Sequence, residues 1–402
     1  MAGPLQGYRI LDLTSVVSGP VATMLLADQG AEVTKVEAFS GDFTRQAANR
    51  RGGFSASFVN NNRGKRSVVL NLKDPRGVAI VGALAKVSDV VVQNFRPGVV
   101  ERLGIGFADL QKLNPRLVYA SISGFGTSGP YAQRPVYDPL IQALSGLTTV
   151  QGGSDQARPR LVRTILPDKL TGFLAAQAIT AALLARERTG EGQHVELSML
   201  DGLVNFLWHS DMGSQTFVGC ELPQAEAQSF IDLIYRTRDG YVSVAVQTDR
   251  QWRALAEALG RPEWLGDERF KTAAQRQENI DARLALTQEA LEHFTSQECL
   301  DRLQAHDVPC APVLRRCEVI HHPQVLANEV LRELDHPHAG RLRQTRPAAR
   351  FSHTPVEPGG PAPALGEHSE MILRELGYDE QTIAQWVTEG VVGVFEATPR
   401  GG

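Results

Sequence analysis

YRILDLTSVVSGPVATMLLADQGAEVTKVE, residues 8–37, is the stretch whose reading decides the fold. Tyr8 to Leu13 is a compact apolar run and reads as a buried strand. Ser18, Gly19 and Pro20 open a helical stretch, Val21 to Gln29. Gly30 follows its end, where a left-handed backbone favours glycine. Glu32 to Glu37 then alternates as a second strand.

The same order recurs downstream. Ser67 to Leu72 is strand-like, Asp74 and Pro75 read as the cap and first residue of a helix, and Val90 to Gln93 is a buried-strand candidate. Leu117 to Ile122 follows as another apolar strand. Strands alternating with helices pair in parallel through right-handed crossovers, so the first ~190 residues read as a Rossmann-like layer, α/β in class. Ligands of such layers bind beyond the carboxyl ends of the strands. A long Ala-rich helix runs from about Lys169 to Arg188, broken by Thr189-Gly190-Glu191-Gly192 before the strand-like His194 to Leu197. Gly202 to Val218 has no clear period and stays unassigned.

Between roughly Ser229 and Pro309 the pattern changes to short strands, with Tyr241 to Val246 alternating, and amphipathic helices at Trp252 to Leu259 and Ile280 to Phe294. That is a smaller α+β domain. Gly340 to Ala364, dense in Pro, Gly, Arg and His, reads as mostly loop before a last helix near Glu367 to Leu376.

Composition narrows the partners. With 402 residues, 42% hydrophobic, and a formal net charge of −4, the chain can bury a large core but offers no basic surface for a nucleic acid or an anionic membrane. Met1 to Arg9 has no signal pattern, and no apolar run approaches the ~18 residues of a membrane span. Cys220, Cys299, Cys310 and Cys317 are sparse and irregular, as expected of a protein in a reducing cytoplasm.

Several motifs are decoys. Gly124-Phe125-Gly126-Thr127-Ser128-Gly129 matches a dinucleotide fingerprint after a strand, but Pro130 follows where the receiving helix should run. Glu37 stands where a ribose-binding acid would, without the glycines. Cys310, Cys317, His321 and His322 match no usual zinc spacing. Neither a Gly-x-Ser-x-Gly elbow nor a His-Glu-x-x-His occurs. Asp168, after Pro167 at the start of the long helix, reads by itself as a helix cap favoured by the helix dipole.

Taken together, certain stretches resemble the family III CoA-transferases, a group that includes formyl-CoA and carnitine CoA-transferases and is related to alpha-methylacyl-CoA racemase. They are Asp12-Leu13-Thr14 with Ser18-Gly19-Pro20, Leu26-Ala27-Asp28-Gln29-Gly30-Ala31-Glu32-Val33, Asn62-Arg63-Gly64-Lys65-Arg66-Ser67, Asn94-Phe95-Arg96-Pro97-Gly98, Leu113-Asn114-Pro115-Arg116-Leu117-Val118-Tyr119, Ser123-Gly124-Phe125-Gly126 and Thr189-Gly190-Glu191-Gly192-Gln193-His194-Val195. The resemblance covers nearly the whole chain. It implies that Asp168 is a nucleophile attacking a thioester, through a mixed anhydride and an enzyme-CoA thioester, with CoA passing to an acceptor carboxylate. Coenzyme A is then a substrate, and no metal, ATP or redox cofactor is required. It also implies a CoA pocket lined by Val16, Val17, Leu70, Lys73, Asn94, Phe95 and Arg102, with Lys73 and Arg102 available to the phosphates.

The racemases carry a histidine in the segment matching Val136-Tyr137-Asp138. Here Tyr137 stands in its place, and a phenol of ordinary pKa near ~10 is a poor base at neutral pH, so transfer is favoured over racemisation. Ala38 where formyl-CoA transferase has a basic residue, and no glycine run around Val246-Gln247-Thr248, set this chain apart from the formyl and oxalate pairing. Arg50, Arg51, Arg158, Arg160 and Arg163 are candidates for a substrate carboxylate. For architecture the resemblance implies a large domain from both chain ends (1–200 and 330–402), a small one at 225–325, and an interlocked homodimer. The alternatives are an acyl-CoA racemase or epimerase, a non-catalytic CoA-binding partner subunit, and last a nicotinamide-dependent dehydrogenase.

Overall fold

The computed structural model describes residues 3–154, 156–222 and 231–395. Its organising element is strand β1, Arg9–Asp12, buried from Ile10 onward. Successive side chains enter different layers. Ile10 joins Val33, Val90 and Val118 against helices on one face, while Leu11 joins Val36, Val68 and Val91 against helices on the other. A strand covered on both faces needs apolar residues in succession, as parallel sheets do.

Around β1 lie β2 (Glu32–Glu37), β3 (Lys65–Leu70), β4 (Val90–Gln93), β5 (Val118–Ser123) and β6 (His194–Ser198), all parallel in the order 3-2-1-4-5-6. A last short strand, β7 (Val392–Gly393), adds antiparallel to β3 at Leu70 and Val69. The chain end therefore completes the sheet that its beginning starts. The order reverses between β1 and β4, and that switch point is where α/β sheets leave a crevice for ligands.

Five helices matter for the site: α1 (Ser18–Asp28), α2 (Pro75–Lys86), α3 (Asp138–Leu144), α4 (Leu166–Thr189) and α5 (Met199–Trp208). Leu26 of α1 and Ile179 of α4 are fully buried between the sheet and each other's helix. Gly172 permits this approach, since a Cβ there would lie 2.7 Å from Val21 Cγ1 and 2.9 Å from the Ser18 carbonyl oxygen.

The chain divides into two compact units, Met1–Ser229 with Glu329–Gly402, and Phe230–Asn328. The second holds an antiparallel sheet of Ile234–Arg236, Tyr241–Val244 and Cys310–Pro312. Its core centres on Trp252, stacked 5.5 Å from Trp264. Threonines at 248, 272 and 295 start three of its helices with capping boxes.

One unassigned window is filled and two readings of the sequence are corrected. Gly202 lies in α5, an amphipathic helix whose apolar period begins at Met199, before the unassigned window. Gly340–Thr345 is a strand paired with Leu331–His336, not loop; its alternation of charged residues around Leu342 hid it. Beyond the helix at Ser369–Glu375 comes another, Glu380–Thr388, whose Ile383 is buried against the sheet. Among the described residues no helix is long and apolar enough to cross a membrane.

Candidate active site

β1 ends in a fully buried carboxylate, Asp12. The Thr14 N–H donates to it at 2.9 Å, the hydroxyls of Thr14 and Thr23 at 2.5 and 2.7 Å, and Lys65 Nζ at 2.9 Å. Burial alone would raise its pKa, but Lys65, Lys35 and the hydroxyls outweigh burial and hold it below the ordinary range. Lys65, equally buried, is pushed down to about 8, because desolvation and the neighbouring Lys35 exceed the pull of Asp12. Lys35 Nζ donates to the Thr14 carbonyl at 2.7 Å and lies 3.1 Å from Asp42. Burial would lower its pKa, yet Asp12, Asp42 and Glu37 together raise it.

Glu37 completes this network. Arg45 grips it with 2.8 and 2.6 Å bonds and the Ser67 hydroxyl donates at 2.8 Å. All its strong acceptor positions face inward, and Glu37 is buried, which removes it as a ribose-binding acid.

A buried ion network is expensive to desolvate, so what it provides here is geometry. It pins the loop after β1, where Val16 has φ +71°, a left-handed conformation that strains a β-branched residue. Asp42 accepts the Val16 N–H at 3.3 Å. From across the switch point, Asn94 accepts the Ser15 N–H at 3.0 Å and donates to the Ser15 carbonyl at 2.8 Å. Phe95 is tied down in turn, its N–H donating to Gln93 Oε1 at 2.8 Å and Gln93 Nε2 to the Ser121 hydroxyl at 2.9 Å.

Neither α1 nor α4 has a side-chain cap, since Val17 and Ile165 occupy those positions. Their first-turn N–H groups therefore seek other acceptors. Asp168 is the third residue inside α4, not its cap. Its carboxylate feels the backbone N–H of Ser18 at the start of α1, which draws its pKa down, while its own N–H donates to Asp138 Oδ2 at 3.2 Å. Two helix N-termini thus meet at one carboxylate, a setting that favours negative charge.

A second carboxylate opposes it. Asp138, buried at the start of α3, is held by Gln142 Nε2 at 2.6 Å, and Gln142 Oε1 accepts the Val162 N–H at 2.9 Å. Burial raises the pKa of Asp138 against the pull of Gln142, the Asp168 N–H and Lys169. Burial and then the Asp138 charge push Asp168 up to about 6, with the Ser18 N–H pulling the other way. The result is a carboxylate still ionised at neutral pH but more basic, and hence more nucleophilic, than an exposed one.

The structure gathers Val16, Asn94, Phe95, Tyr137 and Asp168 around a cavity of about 250 Å³ at the switch point. Tyr137 is 71% exposed, and Asp138 also lines this cavity. A second cavity, about 780 Å³, is lined by Leu70, Lys73 and Phe95 with Leu13, Phe39 and Leu103. Ser15 and Phe95 line both, so the two adjoin. Val17 is buried at the start of α1, and Arg102 is exposed on the short helix Val99–Leu103; neither is among the lining residues of these cavities. Arg50, Arg51, Arg158, Arg160 and Arg163 also lie outside both linings.

Sequence reasoning gave Asp138 no role, placed Lys35 in a strand, and named Lys65 only within the stretch 62–67, ahead of a strand expected from Ser67; the strand in fact begins at Lys65. The available signals were a glutamine four residues after Asp138 and a lysine between Thr34 and Val36 in a parallel strand covered on both faces, a costly placement unless paired.

Residues 5–369 match the family described as CoA-transferase family III. The chain is 34% identical to human succinyl-CoA:glutarate CoA-transferase, over 98% of this chain and 91% of the relative. It is 35% identical to formyl-CoA:oxalate CoA-transferase of Streptomyces coelicolor, over 97% and 100%. The crystal structure of a CAIB/BAIF family protein from Brucella suis superposes with a TM-score of 0.81 at 31% identity, covering 94% of this chain and all of that one.

Proposed function

The chain belongs to CoA-transferase family III and is a CoA-transferase, and we propose that Asp168 is the nucleophile through which it moves CoA from an acyl-CoA to a carboxylic acid. The observation that carries the reading is Asp168 itself. It is an ionised carboxylate of raised pKa at two helix N-termini, open to a cavity at the switch point of the sheet.

An Asp168 oxygen attacks the thioester carbonyl, the C–S bond breaks, and CoA leaves as thiolate, giving an aspartyl mixed anhydride. The thiolate attacks the aspartyl carbonyl of that anhydride, releasing the donor acid as carboxylate and leaving an aspartyl-CoA thioester. The acceptor carboxylate repeats the first step on this thioester, and the thiolate then attacks the acceptor's acyl carbon, freeing Asp168. Every step exchanges one anion for another, so no net proton moves and no metal is called for. Backbone N–H groups such as that of Ser18 are suited to the oxyanions formed on the way.

Coenzyme A fits the larger, mostly apolar cavity, with Lys73 at its edge for a phosphate and the thioester reaching Asp168 past Ser15 and Phe95. For the acids, the human relative's name pairs succinyl-CoA with glutarate, and a dicarboxylate acceptor is our reading for this chain. A homodimer is also part of the proposal. Phe173 and Leu184 of α4 are 58% and 56% exposed, and Phe206 and Trp208 of α5 are 44% and 46% exposed, a large apolar area for a free surface.

Intact-protein mass spectrometry after incubation with a panel of acyl-CoAs tests the mechanism. A covalent CoA adduct that maps to Asp168 and vanishes in Asp168→Ala is the expected result. No adduct with any donor, together with α-proton exchange from deuterated water, would move the protein to the racemase reading.

A further inference from the structure

The cavity at Asp168 presents a charge problem. Asp138 and Asp168 both line it, and a free carboxylate must still enter and attack there. Some cation has to admit it, and the five arginines singled out in the sequence lie outside this lining. Two others lie on it, Arg96 and Arg134. Arg96 follows Phe95, which the larger cavity shares, and so stands on the side proposed for coenzyme A.

We propose that Arg134 recognises the distal carboxylate of a dicarboxylic substrate, which makes it the residue that selects diacids over monoacids. The inference rests on the transferase reading of this cavity and adds the specificity determinant. Its basis is the way this guanidinium is held. The Arg134 guanidinium carbon lies 3.8 Å over the ring of Tyr131, and Tyr131 is braced edge-on by Phe125 at 5.3 Å. The loop that carries them is anchored where Gly124 meets Val136: a Cβ on Gly124 would fall 2.3 Å from Val136 Cγ1. The Gly124 carbonyl also accepts the Leu200 N–H of α5 at 3.0 Å.

A guanidinium stacked on an aromatic face has its orientation set while its in-plane N–H fork stays available. That fork fits a carboxylate with two parallel bonds. Among the described residues no acid forms an ion pair with Arg134, whereas Arg45, Arg63, Arg76 and Arg186 are each committed to one. A stacked arginine without an acid, on the wall of a cavity that must take a carboxylate, is placed for a ligand.

The test compares two acceptors of equal chain length, glutarate and pentanoate, with acetyl-CoA and succinyl-CoA as donors. For Arg134→Gln, KM for glutarate should rise about 10- to 100-fold with kcat little changed, the loss of one charge-assisted hydrogen-bonded contact. Arg134→Lys should fall between, and pentanoate kinetics should be unaffected. The covalent adduct formed from acetyl-CoA should be as abundant as in the wild type, which also shows that the variant is folded. Equal losses for both acceptors, unchanged glutarate kinetics, or wild-type turnover of pentanoate as good as of glutarate would each overturn the proposal. So would a glutarate-selective loss in Arg96→Gln but not in Arg134→Gln. Absence of any adduct in the wild type would instead remove the aspartyl mechanism beneath it, a separate and recognisable outcome.

Discussion

Replacing Asp168 with asparagine should stabilise the protein while abolishing its covalent chemistry. Asparagine keeps an oxygen for the Ser18 N–H and presents amide hydrogens instead of a charge to Asp138. The carboxyl's pKa is about 6 in the folded protein against an ordinary 3.8, and each unit corresponds to ~1.36 kcal/mol. The ceiling is therefore about 3 kcal/mol, and partial solvent access to the cavity brings the working figure to about 1–2 kcal/mol. The sign follows from linkage: a raised carboxyl pKa means that the native state holds its proton more tightly than the unfolded chain. Wild-type stability falls as pH rises from about 4 to about 6 and stays lowered above. A neutral side chain escapes that loss. Its advantage should be near zero below about pH 3, about a third of its plateau at pH 4.5, and complete above pH 7. For a unit of roughly 300 residues, 1–2 kcal/mol corresponds to ~2–3 °C in melting temperature. Calorimetry of both proteins from pH 4.5 to 8 measures the gap. An Asp168→Asn variant that is less stable than wild type at pH 8, or a gap that does not grow with pH, would refute the reasoning that this carboxylate is held at an energetic cost.

Three further outcomes follow from the same geometry. The rate of adduct formation at limiting acyl-CoA should decline below pH ~6, approaching tenfold per unit, as Asp168 takes up its proton; a profile flat down to pH 5 would contradict this assignment. Asn94→Ala removes both bonds to Ser15 and frees the strained Val16 loop, so kcat should drop about 10- to 100-fold for about 1–3 kcal/mol of stability, and a variant with unchanged kcat would show the clamp to be idle. Lys65→Met strands the buried Asp12 and should cost about 3–5 kcal/mol in urea unfolding, with much of that recovered in the Asp12→Asn, Lys65→Met double variant; additive losses would mean the two do not act as a pair.

What the sequence determined by itself is the part governed by local chemistry and period. Residues 8–37 carry a strand, a helix and a strand in apolar periodicity, and repetition of that unit leaves few ways to build other than a parallel sheet. Asp168 could be singled out from the order of residues around it, because its neighbours form recognisable stretches. Elements whose residues alternate in charge, such as Gly340–Thr345, escaped notice because their stabilisation comes from a partner strand and not from their own pattern. The site was less legible for the same reason. Asp138 and Asp168 are 30 positions apart, Ser15 and Asn94 are 79, and Lys65 and Asp12 are 53. A carboxylate has an ordinary pKa until folding removes its water and sets a second charge beside it. Only the tertiary structure decides that, through Gly172 letting α4 close on α1 and through buried lysines that hold the first loop in its strained form.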